Sequence, residues 1–245
     1  MTKNFFFIWF CMLINIVYPK SDSAPFADKT SLSVLADSMM FGQLGDSVVQ
    51  RFIALFESLS FESSYRLNTH DSAIGILKAF IFPESFNQIL KLVSTSEKKK
   101  IFKRTILDYQ RDADSVGVNR FFKEGGGSFE FNAQVVVKSF YGTQFQYISH
   151  TRWIKNKNWF IERQQMVGEG QQVRGVWGYL KQLYFFTLIY NPVTSHKTVR
   201  IVATWTQAGG KIPLVGSIET RYENIVEGIE KGHLDILDFL DRGSM

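Results

Sequence analysis

Apolar residues along this chain repeat with two different periods, and the change from one to the other falls near the middle. Val48, Phe52, Leu55, Phe56 and Leu59 follow the i, i+4, i+7, i+8, i+11 spacing of one buried helical stripe. A second helix is expected from Asp71, a good N-cap residue, with Ile74, Leu77, Phe80 and Ile81 on its apolar side. Pro83 ends it. Because proline is tolerated in a first helical turn, Pro83-Glu84 is expected to open a third helix, with Phe86, Ile89, Leu90 and Val93 inward and later turns reaching Ile101, Phe102 and Ile106. The break makes the two a bent helical pair.

Polar and glycine residues from Arg111 to Gly127 mark the change of regime, and beyond them the period is two. Phe129, Phe131, Ala133, Val135 and Val137 alternate with polar neighbours, as do Phe145, Tyr147, Ser149, Thr151 and Trp153. Asn156-Lys157-Asn158 supplies a turn into a third strand, Trp159 to Val167. The nearly all-apolar stretch Leu183 to Tyr190 reads as a central strand stopped by Asn191-Pro192, and Val199, Ile201, Ala203 and Trp205 alternate along a last one. A closing helix from about Glu219 carries Tyr222, Ile225, Val226 and Ile229, followed by a short amphipathic tail through Leu234, Ile236, Leu237 and Leu240. Helices that precede a run of antiparallel strands predict an α+β domain, with the N-terminal helices packed on one face of a strongly curved sheet. No βαβ alternation supports a doubly wound nucleotide fold.

The first two dozen residues add a destination. Lys3 precedes a 14-residue apolar run, Phe5 to Tyr18, interrupted only by Asn15, which matches the core of a secretory signal better than the roughly 20 residues of a membrane span. Ser21 and Ser23 suit cleavage before Ala24. Retained, the same segment would be a short anchor and the one route to membrane contact. Either way the rest of the chain is expected outside the cytoplasm, periplasmic or secreted, or anchored in the inner membrane facing the periplasm. The expected divisions are a signal at 1–23, an N-terminal extension at 24–46, the α+β domain at 47–207 and a helical tail at 208–245.

The single cysteine, Cys11, lies within the apolar run, so the remainder has no disulfide, thiol nucleophile or thiolate metal site. A chain of about 220 residues can still bury around 70% of its unfolded surface and hold together by its core. The net charge of +5 is too mild to imply a polyanionic partner. Lys98-Lys99-Lys100 reads as the solvated face of a helix.

Candidate chemistry is sparse. Gly125-Gly126-Gly127 is followed by a strand instead of a helix and reads as a connection, not a phosphate loop. His70, His150, His196 and His233 stand singly, without metal-ligand spacing, so no metal and no cofactor is expected. No serine sits in a nucleophile elbow, and Asp112 and Asp114 fall in the polar linker. The sheet aromatics, interleaved with Arg152, Lys155, Lys157, Arg163 and Arg174, suit a core with a residual patch for a protein partner better than single-stranded nucleic acid, so no direct nucleic-acid contact is expected.

Ser60-Phe61-Glu62-Ser63-Ser64-Tyr65-Arg66 leading into Ala73 to Phe82, the proline-led Pro83-Glu84-Ser85-Phe86, and Leu183 to Asn191-Pro192 with the strand Val199 to Trp205 together resemble the exported domain of type IV secretion and conjugation assembly factors of the TraE-like and DotI/IcmL-like kind. The likeness spans Ser47 to Gln207. It implies a cone like that of nuclear transport factor two or cystatin and a non-catalytic scaffold that self-associates and contacts other envelope proteins, with Asn191 and Pro192 fixing a structural turn. The second reading is a small-molecule binder or enzyme on the same cone, its pocket lined by Tyr147, His150, Trp153 and Tyr184. The third is a secreted effector.

Overall fold

A computed structural model describes residues 29–59, 63–138, 143–175, 178–192, 197–209 and 217–243. The segment 1–23, with its expected signal, lies outside them, and no helix among the described residues is long and apolar enough to cross a membrane. The elements in chain order are α1 Lys29–Phe41, α2 Asp46–Glu57, β1 Tyr65–His70, β2 Ala73–Phe82, α3 Phe86–Ser94, α4 Lys98–Ile101, β3 Ile106–Arg111, α5 Ser115–Lys123, β4 Gly127–Lys138, β5 Gln144–Lys155, β6 Trp159–Arg174, β7 Tyr179–Tyr190, β8 Thr198–Gly209 and α6 Ile218–Asp241. The strands form one antiparallel sheet in the order β1-β2-β8-β7-β6-β5-β4-β3. The α+β class and the C-terminal helix are as the periodicity predicts.

The bent helical pair is not formed. The residues expected as its first member are strand β2, hydrogen-bonded between β1 and β8. The helical spacing of Ile74, Leu77, Phe80 and Ile81 misleads because β2 is covered on both sides, so nearly every position is apolar and periodicity cannot separate the two conformations. Ile74, Ile76, Phe80 and Phe82 enter one core, while Ala73, Leu77 and Ala79 enter another on the opposite face. Asp71 is no helix cap: with φ of +47° at Asp71 and +68° at Ser72, the pair forms the tight turn that joins β1 to β2. The third expected helix does form, as α3. Its start is set by a reciprocal cap between Ser85 and Gln88, two residues after Pro83. It ends at Ser94, and Ile106 already belongs to β3.

Two helical layers sandwich the central strands. On one face lie α1 and α2, which cover Leu67, Leu77, Tyr184, Phe186, Leu188, Ile201 and Trp205. The segment 24–46, expected as an extension, therefore contains a core element, α1. Its C-terminal carbonyls are capped from the sheet: the Arg163 guanidinium donates to the carbonyls of Met39 (2.6 Å), Gly42 (3.0 Å) and Ser38 (3.2 Å), placing a cation at the negative end of the helix. Burial, and then the neighbouring Arg152, lower the Arg163 pKa to about 10, still protonated at neutral pH.

The other face carries α3, α4, α5 and the long α6. The expected closing helix and tail are one continuous α6, begun at the N-cap Ser217. Asp235, almost fully buried, accepts from the Arg104 backbone N–H (2.9 Å) and from Arg104 Nη1 (2.7 Å). Lys78 of β2 pairs with Glu230, and the Arg66 guanidinium lies 4.3 Å from the Tyr222 ring centre. These contacts tie α6 to β1, to β2 and to the connection between α4 and β3.

Candidate functional site

Between α6 and the sheet the core is not filled. A cavity of about 520 Å³ remains, with walls that include Ile74, Val135, Phe145, Leu183, Phe185 and Ile229. It follows from strand parity. On β7, Leu183, Phe185, Thr187 and Ile189 face α6, whereas Tyr184, Phe186, Leu188 and Tyr190 face α1 and α2. On β8, Arg200, Val202, Thr204 and Thr206 face the cavity, and the apolar alternation Val199, Ile201, Ala203, Trp205 faces the other way. Gly228 and Gly232, one turn apart on α6, are also in the wall and contribute no side chain to fill the space.

At one end of this apolar space is a buried polar cluster. Glu162 of β6, 1% exposed, accepts from Lys98 Nζ at 2.8 Å, from the indole N–H of Trp153 at 2.9 Å and from the Gln164 amide. In register, Trp153 stands opposite Glu162, Glu162 opposite Thr187, and Thr187 opposite Val202. Two positions along β8 from Val202, on the same face, is Arg200, 5% exposed. Burial lowers the Arg200 pKa to about 10, against a raising influence from Glu162, and the group stays cationic. At the other end the cavity reaches Thr206, Gln207, Arg221 and the half-exposed Tyr179.

The four residues expected to share a pocket do not. Tyr147 lines the cavity, with its ionisation pushed well up by burial and then by Tyr109. Trp153 is completely buried and reaches the cavity only through its bond to Glu162. His150 is on the exposed face of β5, its Nδ1 3.2 Å from Asn132 Oδ1. Tyr184 belongs to the opposite core, its ring edge-on to Phe41 and His70 at 5.0 and 5.3 Å. Aromatic character selected these residues, whereas odd or even position along each strand decides which face they reach. Asn191 and Pro192 directly follow β7, and Asn191 Oδ1 lies 3.2 Å from the Thr198 hydroxyl at the start of β8. Lys98, expected in solvent, is buried, while Lys99 and Lys100 are exposed.

The sequence reading missed Glu162, Thr187 and Arg200. One signal was available: Thr187 and Arg200 are polar residues inside strands whose immediate neighbours on either side, Phe186 and Leu188, Val199 and Ile201, are apolar.

His233 of α6 stacks on Phe80 at 4.0 Å. Burial, followed by Arg200 and Lys78, lowers its pKa from 6.5 to about 4, Glu230 opposing. The folded state therefore resists a proton that the unfolded chain accepts, and stability is lost as pH falls from 6.5 towards 4. The expected loss is about 1–2 kcal/mol after discounting the ring's partial exposure. Urea melts at both ends of that window should show a shallower decline for His233→Phe, which keeps the ring stack and removes the titration; equal declines would refute the assignment.

No family model matches the chain, and no curated protein does. Among solved structures, the chain is similar to TTHA0849 from Thermus thermophilus at 10% identity over 70% of this chain and 99% of that one, with a TM-score of 0.49. Human STARD10 is similar at 8% identity over 82% and 83%, TM-score 0.47. A STAR-related lipid transfer protein from Xanthomonas axonopodis is similar at 9% identity over 61% and 78%, TM-score 0.45. The expectation of a type IV secretion or conjugation scaffold is corrected on the fold: Ala73–Phe82, a helix in the reading on which that resemblance rested, is the central strand β2.

Proposed function

We propose that this protein binds a small, largely apolar molecule in the cavity between α6 and the sheet, and that the architecture is a helix-grip in which α6 closes that cavity instead of a cone like that of nuclear transport factor two. One observation carries the reading: about 520 Å³ of apolar-walled space between a long helix and a sheet whose opposite face is closely packed. Interiors are normally close-packed, so an apolar-walled space of this size left unfilled by side chains is exceptional. The volume falls in the range of ligand sites, which combine apolar walls with a few convergent polar groups.

A ligand that binds only the folded state stabilises it by about 2.7 kcal/mol at a hundredfold excess over its Kd, a rise of roughly 5–10 °C in melting temperature for a domain of this size. A thermal-shift series with dodecanol and with dodecanoate, both below their micellar concentrations, should give such a rise with at least one of them. Val202→Trp, which projects a ring into the space, should melt cooperatively and show no rise. Gly232→Leu supplies a second obstruction from the helix side. If neither probe shifts the wild-type melt, or if both obstructed variants respond as it does, the cavity is not a ligand site.

A further inference from the structure

The charges in the cavity wall do not balance. Lys98 and Arg200 line its polar end, and the one carboxylate among the described lining residues is Glu162. That carboxylate is already engaged: one oxygen accepts from Lys98 and Gln164, the other from Trp153. The Lys98–Glu162 pair is therefore neutral as a unit and leaves the Arg200 charge uncompensated. Arg200 Nε and Nη1 are buried without a hydrogen-bond partner among the described residues, as are the hydroxyls of Thr187 and Tyr109 in the same wall. A buried guanidinium with idle donors is costly, and proteins normally pair or fully hydrogen-bond such a charge.

We infer that this end of the cavity receives the carboxylate of an amphipathic monoanion, with Arg200 as its counter-charge and the Thr187 hydroxyl as a further donor. The inference rests on the cavity being a ligand site and specifies which ligands it prefers. A guanidinium offers two N–H groups in a fork that matches a carboxylate, and Thr187 is diagonal to Arg200 across β7 and β8, within reach of the same head group. One excess positive charge at the inner end suits one negative charge. The apolar walls beyond, Phe145, Leu183 and Phe185 among them, suit the tail.

The test compares four probes with the same tail: dodecanoate, dodecanol, dodecylammonium and dodecyl phosphate, titrated into the full chain at neutral pH and followed by calorimetry. Dodecanoate should bind at least about tenfold more tightly than dodecanol, the least expected of charge-assisted hydrogen bonds formed in a buried site, and dodecylammonium should bind weakest. Arg200→Met should abolish the preference for dodecanoate while dodecanol still binds. Thr187→Val, which removes a hydroxyl that bonds to nothing in the described structure and so leaves folding intact, should narrow the preference several-fold and serves if Arg200→Met fails to fold. Equal affinities for dodecanoate and dodecanol, or an undiminished preference in Thr187→Val and any folded Arg200→Met, would overturn the head-group assignment while leaving the cavity a binding site. Tighter binding of dodecyl phosphate than of dodecanoate overturns the monoanion. Absence of binding by all four removes the ligand site itself.

Discussion

Glu162→Ala is expected to destabilise the protein by about 3–5 kcal/mol, the usual cost of breaking a buried ion pair from one side. The change removes a carboxylate that is 1% exposed and serves three donors at once. Lys98 is left as a cation 4% exposed, and the Trp153 indole, itself completely buried, loses its acceptor. The penalty therefore arises mainly from orphaned partners and much less from the attraction lost, because two charges taken out of water regain little beyond their own desolvation. Replacing both members, as Lys98→Met with Glu162→Leu, should accordingly recover a large part of the loss, since no buried charge then remains from the pair. Urea unfolding of Lys98→Met, Glu162→Leu and the double variant, beside Glu162→Ala, gives the comparison. A Glu162→Ala loss under about 1 kcal/mol, or a double variant worse than the sum of the singles, would show that the pair is hydrated and not part of the buried structure.

The second large effect is expected at Gly75, in the middle of β2. Alanine in a strand interior ordinarily gains about 0.5–1 kcal/mol over glycine by restricting the unfolded chain. Here the sign should reverse. A Cβ on Gly75 would lie 2.5 Å from Trp205 Nε1, 2.7 Å from Trp205 Cδ1 and 2.9 Å from Leu67 Cβ. The indole cannot easily retreat: Trp205 is fully buried, donates to the Asn68 carbonyl at 3.0 Å and packs on Phe41 and Phe186. Overpacking costs about 1–3 kcal/mol and an orphaned buried indole N–H a similar amount, so Gly75→Ala should destabilise by about 2–4 kcal/mol. In a Trp205→Leu background, which removes the two nearest obstructing atoms and leaves only Leu67 Cβ at 2.9 Å, the same substitution should cost clearly less. An equal cost in both backgrounds would mean that the indole is not what requires glycine at this position.

How far the residues alone announced the molecule differs between its halves. Strands β4 and β5 were legible because polar and apolar positions alternate along them, the mark of a sheet with one wet face, and the first part of β6 from the Asn156-Lys157-Asn158 turn before it. Their register is visible in pairs such as Phe131 with Thr151 and Val135 with Tyr147. Helix α2 was legible from its single stripe, and α6 from the spacing of Tyr222, Ile225 and Ile229, although its tail was separated from it. Strand β2 was not legible, because burial on both faces erases the contrast that periodicity depends on. Helix α5 was hidden in a polar segment, where Asp114 caps a nine-residue helix whose buried face is only Val118 and Phe121.

The cavity shows the same division at the level of single residues. Tyr147 lines the cavity, whereas Tyr184 and His150, named with it for the same ring character, lie on other surfaces. Arg200 and Glu162, in different strands 38 positions apart, acquire a relation only through the pairing of β6 with β7 and of β7 with β8.

The order of polar and apolar residues thus determined the α+β class, the antiparallel hairpins from β4 to β6 and the helix that closes the chain, since each depends on contacts among near neighbours. Which face of each strand meets α6, and hence where the cavity and the Arg200 guanidinium come together, was decided by strand order and register. Those are set by hydrogen bonds between segments far apart in the chain, and a one-residue change of register would turn Arg200 from the cavity into the opposite core.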